Sequence, residues 1–156
     1  MICVNQYRTH LCGEVNEKDI GKEIRVAGWV ENIRDHGGVK FVDLRDHYGV
    51  VQIVIYDDSL LENVTKESTI TASGKVVLRD EDTVNPKIST GTVEVKVSTL
   101  TVLGKALSNL PFEIETSTDT KEDVRLKYRY LDLRNPKVHN NIVLRSQVIS
   151  FLRKKM

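Results

Sequence analysis

Cysteine, proline and tryptophan are rare here: two, three and one among 156 residues. Cys3 and Cys12 form no CxxC pair and have no His or Cys at metal-ligand spacing. That argues against a disulfide framework or zinc site and leaves two free thiols in a reducing compartment. His10, His36, His47 and His139 are too scattered for a metal centre. No apolar run approaches the ~20 residues of a membrane span. The opening MICVNQYRTH has no basic segment leading into an apolar one, so no signal peptide is read and a cytoplasmic location is expected. Internal repeats and low-complexity tracts are missing. No glycine-rich loop follows a strand and opens a helix, which removes the common phosphate-binding motifs. Asp80-Glu81-Asp82 begins like a calcium loop, but Val84 and Gly91 stand at the fifth and twelfth positions, where ligands are required. Asp43 and Asp46 flank Arg45 with no nucleophile placed beside them, so a surface ion network is expected rather than a catalytic pair. From these residues alone, no catalytic group, metal or cofactor is expected.

Net charge is also small, formally +1. Residues 1–102 hold 12 basic and 16 acidic side chains, a net of −4, whereas residues 103–156 hold 11 and 6, a net of +5. Nucleic acid bound by the first part would not be captured by bulk charge.

What is present is β-pattern. Ile24, Val26, Gly28 and Val30 alternate with Arg25, Ala27, Trp29 and Glu31. Val39, Phe41 and Asp43 alternate with Lys40, Val42 and Leu44, and residues 50–55 form an apolar run broken only by Gln52. Period-2 patterns rich in Val, Ile, Phe and Trp mark half-buried strands. His36-Gly37-Gly38 and His47-Tyr48-Gly49 supply turns tolerant of positive φ. Strands are expected at about 24–33, 39–46, 50–56, 69–79 and 91–102, with Gly74 at a bulge. Asn16 and Gly21 bracket one helical turn, and Asp57-Asp58-Ser59 caps a short helix near residues 59–66. Five strands with a helix between the third and fourth is the order of the OB-fold, an all-β Greek-key barrel.

Such a barrel binds ligands on its second and third strands, between the 1–2 and 4–5 loops. Phe41 and Gln52 fall on those strands, and Arg34 enters the first loop. A lone Phe on a strand usually belongs to a core. A Gln inside an apolar run needs partners, however, and it can offer a donor and an acceptor to a base edge. A ring can stack on a base, and Arg34 can stack or pair with phosphate. A single-strand RNA reader, a general single-strand-binding barrel and a protein-interaction barrel all remain open on these residues.

The character changes near residue 105. Residues 108–123 are polar and irregular and suggest a hinge. The stretch 125–134 is dense in Arg and Tyr, Asn135 can cap a helix, and Pro136 suits its first position. Val138, Ile142, Ile149 and Leu152, flanked by Leu144, Val148 and Phe151, make a wide apolar helix face. Such a face implies a further partner surface, so a piece of a longer protein is expected. The expected division is a barrel over 1–104, a linker over 105–136 and the start of another domain over 137–156.

The stretches RTHLCGEV, GWVENIRDHGGVKFVDLRDHYGVVQIV, TGTVEV and RLKYRYLDLRNP, in that order, resemble the N-terminal anticodon-binding barrel of bacterial-type aspartyl-tRNA synthetases. In that family RYLDLR leads into the class II catalytic domain, whose first signature helix contributes to a homodimer interface. The resemblance implies that Phe41 stacks on the central anticodon base, Gln52 reads its edge and Glu94 reads the first base. Arg34, His36 and Asn85 would frame the loop. Val54 stands where some members carry an aromatic residue, and Thr83 and Pro86 vary the 4–5 loop. A His in the 1–2 loop resembles the relaxed members that charge both tRNA(Asp) and tRNA(Asn). The whole enzyme would use ATP and Mg2+, but the motifs for ATP and aspartate lie beyond Met156, so this chain alone is expected to be catalytically silent.

Overall fold

The structure is a computed structural model that describes residues 5–156. The expected thiol at Cys3 lies outside that range. Five strands, β1 (Glu23–His36), β2 (Val39–Arg45), β3 (Val50–Ile55), β4 (Thr69–Leu78) and β5 (Val93–Gly104), close a barrel in the order β1-β2-β3-β5-β4. All pairings are antiparallel except β3 with β5, where Ile53 faces Val95 and Val54 faces Lys96.

β1 serves two neighbours. Glu23–Trp29 pairs with β4 and Trp29–His36 with β2, so Trp29 is shared by both neighbours. A register shift between Val30 and Asn32 lies within the β2-paired part, where a bulge bends the strand and increases its twist. Beyond it the strand runs three residues further than the alternation suggests. It ends in a two-residue turn, Gly37 and Gly38, with φ of 65° and 90°, values that a side-chain-bearing residue adopts only with strain. The bulge expected near Gly74 is present as a register shift between β4 and β5.

Inward residues follow the period of two. Val26, Val30, Val42, Leu44, Val51, Ile53, Ile70, Val76, Val93 and Val95 have no solvent exposure. Each such side chain contributes about 1.5–3 kcal/mol through burial. Cys12, Val15 and Leu61 join this core from outside the strands. Asn16 caps the 3-10 turn Glu17–Asp19 with a capping box, and Gly21 follows at φ 85°.

Two expectations are corrected. The helix near residues 59–66 is a single 3-10 turn, Asp58–Leu61, capped by Asp57. Asn63 and Glu67 both adopt φ of 65°, which no α-helix can carry. Arg45 and Asp46, expected at the surface, are buried. The Arg45 guanidinium pairs with Glu31 at 2.9 Å and with Glu67 at 2.7 Å, fixing the strained Glu67. Asp46 accepts the amides of Cys12, Tyr48 and Gly49, so its carboxylate builds the β2–β3 turn.

A second compact unit begins at Asn109. It holds α1 (Glu122–Lys127), α2 (Arg129–Asp132) and α3 (Pro136–Lys155). Phe112, Ile114 and Leu131 form its small core, with Leu110, Val124 and Tyr128 against them. The stretch 108–123 thus carries buried residues as well as polar ones. Asp132 is fully buried and accepts from Ser117, Arg125 and Arg129. Asn135 caps α3 through the Lys137 amide while its Nδ2 donates to Ile114 and Glu115 carbonyls. Along α3, Ile142, Leu144, Val148, Ile149, Phe151 and Leu152 are exposed.

Candidate nucleic-acid interface

Register decides which side chains leave the barrel together. Val42 points inward, so Phe41 and Asp43 point outward. Phe41 lies opposite Arg34 on β1 and Val54 on β3, and Val54 lies opposite Lys96 on β5. Asp43 lies opposite Asn32 and Gln52. The outer face of β1, β2, β3 and β5 is therefore one surface.

A chain of polar contacts crosses it. Arg34 Nη2 donates to Asp43 Oδ1 at 2.7 Å and to Gln52 Oε1 at 3.1 Å. Gln52 Nε2 donates to Glu94 Oε2 at 2.9 Å. Gln52 is only 6% exposed, yet both ends of its amide are partnered. Beside this chain lies a cavity of about 300 Å³ bounded by His36, Phe41, Tyr56, Glu94 and Lys96, with Leu78, Asp80 and Thr83 closing it from the β4 end and the 4–5 loop. The His36 ring meets the Phe41 ring edge-on, 5.6 Å between centroids at 75°. Phe41 is half-buried and outside the barrel core.

The two loops are fastened differently. In the 1–2 hairpin Lys40 Nζ donates to Asp35 at 2.8 Å, and that bond holds the exposed Asp35 carboxyl below its ordinary range. The 4–5 loop is fastened by Arg79, 5% exposed, which donates to the carbonyls of Val93 and Thr83. Burial disfavours the charged Arg79, whereas the Glu94 and Asp43 carboxylates favour it. Its Nη2 has no hydrogen-bond partner among the described residues. Asn85 sits apart from the cavity, its side-chain oxygen accepting from the Lys87 amide.

The six residues singled out in the sequence thus divide. His36, Phe41 and Glu94 bound the cavity, Arg34 and Gln52 form the adjoining chain, and Asn85 shapes its own loop. Tyr56, Leu78, Lys96 and the fastening role of Arg79 were not foreseen. Extending the alternation Gln52, Val54 by one step reaches Tyr56, and extending Glu94 reaches Lys96.

A closed five-stranded barrel with an aromatic, amide and guanidinium face between two loops defines the oligonucleotide-binding class. The family model described as a tRNA anti-codon, OB-fold nucleic acid binding domain matches residues 24–103, just over half of the chain, and the chain belongs to that family. The aspartate–tRNA ligase of Streptomyces coelicolor is 47% identical over 98% of this chain and 27% of its own length. The aspartate–tRNA(Asp/Asn) ligase of Rickettsia akari is 48% identical over 98% of this chain and 26% of its own. Among solved structures, the asparaginyl-tRNA synthetase of Pyrococcus horikoshii superposes with a TM-score of 0.74 at 25% identity, covering 93% of this chain and 34% of that one. The chain spans about a quarter of the length of the curated relatives it matches.

Proposed function

We propose that this chain grips the anticodon loop of tRNA(Asp) for an aspartate–tRNA ligase, with residues 1–104 as the reader, 105–136 as the linker and 137–156 as the start of the catalytic domain. The observation that carries the reading is the outer face itself: a half-buried ring, a fixed amide and a carboxylate side by side, in a sequence nearly half identical to proteins named for that reaction. Phe41 offers a stacking surface for the central base, Gln52 a donor and an acceptor for its edge, and Glu94 an acceptor for a guanine's N–H groups. Arg34 and His36 bound the base sites, and Asn85 shapes the loop beside them.

The parent enzyme would be a cytoplasmic homodimer that aspartylates tRNA(Asp), and tRNA(Asn) as well, using ATP and Mg2+ held in its catalytic domain. Residues 1–156 contain no motif for ATP or aspartate, and among the described residues no group of three or more His, Cys, Asp or Glu is placed to hold a metal ion. No catalytic step is assigned to this chain.

The test is a titration against anticodon stem-loops carrying GUC, GUU and an unrelated triplet over a salt series. Preference for GUC or GUU supports the proposal. Equal binding of all three would make this a general single-strand barrel, and no binding would favour a protein-interaction barrel.

A further inference from the structure

Tyr56 is a large aromatic residue left 57% exposed at the end of β3, on the face that carries Gln52 and Val54. The Lys96 ammonium lies 5.9 Å from the centre of its ring, and both side chains bound the cavity that also holds Phe41. Between the two rings is Val54, which is short. The face therefore has two aromatic surfaces separated by a low saddle, with one cation beside the second. The exposed Leu78 bounds the same cavity.

We infer that Tyr56 and Lys96 form a second nucleotide position: Tyr56 stacks on the base next to the one on Phe41, and Lys96 neutralises the phosphate joining them. This rests on the RNA-binding reading above. A ring held by a cation loses little freedom on stacking; the Lys96 ammonium over one face leaves the opposite face to a base and can still reach the backbone phosphate beside it. The barrel portion has a net charge of −4 over residues 1–102, so a cation on this face acts locally rather than through bulk attraction. In this arrangement Tyr56 replaces the aromatic surface that Val54 does not provide.

The experiment is fluorescence titration of the whole chain with a GUC stem-loop and with loops lacking one base at each anticodon position in turn. Tyr56→Ala should weaken binding about tenfold, the scale of one lost stack. Tyr56→Phe should bind as the unsubstituted protein does. Removing the neighbouring base should weaken binding to the unsubstituted protein but have no further effect on Tyr56→Ala. Lys96→Ala should lower the salt dependence by about 0.7 in log–log slope, the value for one single-strand phosphate, while Lys96→Arg keeps it. Melting temperatures should not move, because both side chains are exposed. If Phe41→Ala weakens binding while Tyr56→Ala and Lys96→Ala do not, the second position falls and the RNA reading stands. If no stem-loop binds the unsubstituted protein, both fall.

Discussion

Gln52 Nε2 donates to Glu94 Oε2 at 2.9 Å, across the one parallel pair of the barrel. A primary amide has a second N–H and a second lone pair. The inner pair of bonds fixes its orientation, and the remaining donor and acceptor are available to a base. Gln52→Glu replaces the donor with a second carboxylate against Glu94. At neutral pH this should cost about 1–3 kcal/mol of stability. The repulsion, which Arg34 beside the new carboxylate offsets only in part, needs both carboxylates ionised, so the loss should be full at neutral pH. It should vanish once pH falls below the ordinary Glu value of about 4.3. Thermal melts at pH 7 and pH 4 check this, and an equal deficit at both would contradict it.

Phe41 divides the RNA reading from a packing reading. It lies outside the core cluster, so Phe41→Ala should fall well short of the about 3–5 kcal/mol typical of a buried Phe. Stem-loop affinity should drop by about 1–3 kcal/mol. A large fall in melting temperature with unchanged affinity would make Phe41 a structural residue.

The strands were legible because one buried face imposes a period of two. Where β1 outran its pattern, the bulge after Val30 had shifted the phase, and no local rule marks a bulge that long-range pairing requires. The helix expected near residues 59–66 is cut short to the 3-10 turn Asp58–Leu61 for a similar reason. Leu60, Leu61 and Val64 suit a helix, but the chain turns through Asn63 and through Glu67, which Arg45 holds from β2. Arg45, Asp46 and Glu67 also show why buried ion pairs are hard to foresee: in sequence they look like any surface charge. At the site, His36, Phe41, Gln52 and Glu94 were legible from residue type and resemblance. Arg79 was not, because its importance lies in the Val93 and Thr83 carbonyls it reaches.

The 4–5 loop depends on a close backbone approach. A Cβ on Gly91 would lie 1.8 Å from the Asn85 carbonyl oxygen, which only a backbone shift can relieve. Gly91→Ala should therefore destabilise the barrel by about 1–3 kcal/mol, in the range of core overpacking. It should also move the amide signals of Asn85 and Thr83 in NMR spectra. Unchanged spectra and melting would show that the loop does not need this contact.

Asp132 links stability of the second unit to acid pH. Burial opposes its ionisation, but hydrogen bonds from Arg125 and Ser117 and the charge of Arg129 prevail and hold its carboxyl below the ordinary range. A depressed folded-state pKa stabilises the fold at pH above the unfolded value of about 3.9. The contribution shrinks as pH falls further, through the depressed folded value. Hydrogen exchange at the Leu131 and Asn135 amides should accelerate, after correction for intrinsic rate, between pH 5 and pH 3 (approximate bounds from that unfolded value). In Asp132→Asn, exchange at pH 6 should already be fast, and this acceleration should be absent.

The third anticodon base separates aspartate from asparagine tRNAs, C against U, so discrimination must arise near it. The 1–2 hairpin is one element close enough to the cavity to contribute. Its tip has two glycines without side chains and is fastened by Lys40 and Asp35, which pair with each other. His36 is the side chain from that tip that bounds the cavity. An imidazole offers a donor or an acceptor according to tautomer and so can serve either the amino group of C or the carbonyl of U. Its edge-on contact with Phe41 leaves the ring positioned for both. GUC and GUU stem-loops should therefore bind within about tenfold of each other, or roughly 1.4 kcal/mol. His36→Leu, which removes both hydrogen-bonding groups, should weaken the two about equally. A protein that already prefers GUC by more than that margin, or a His36→Leu variant that loses only one of the two loops, would show that discrimination is built in elsewhere.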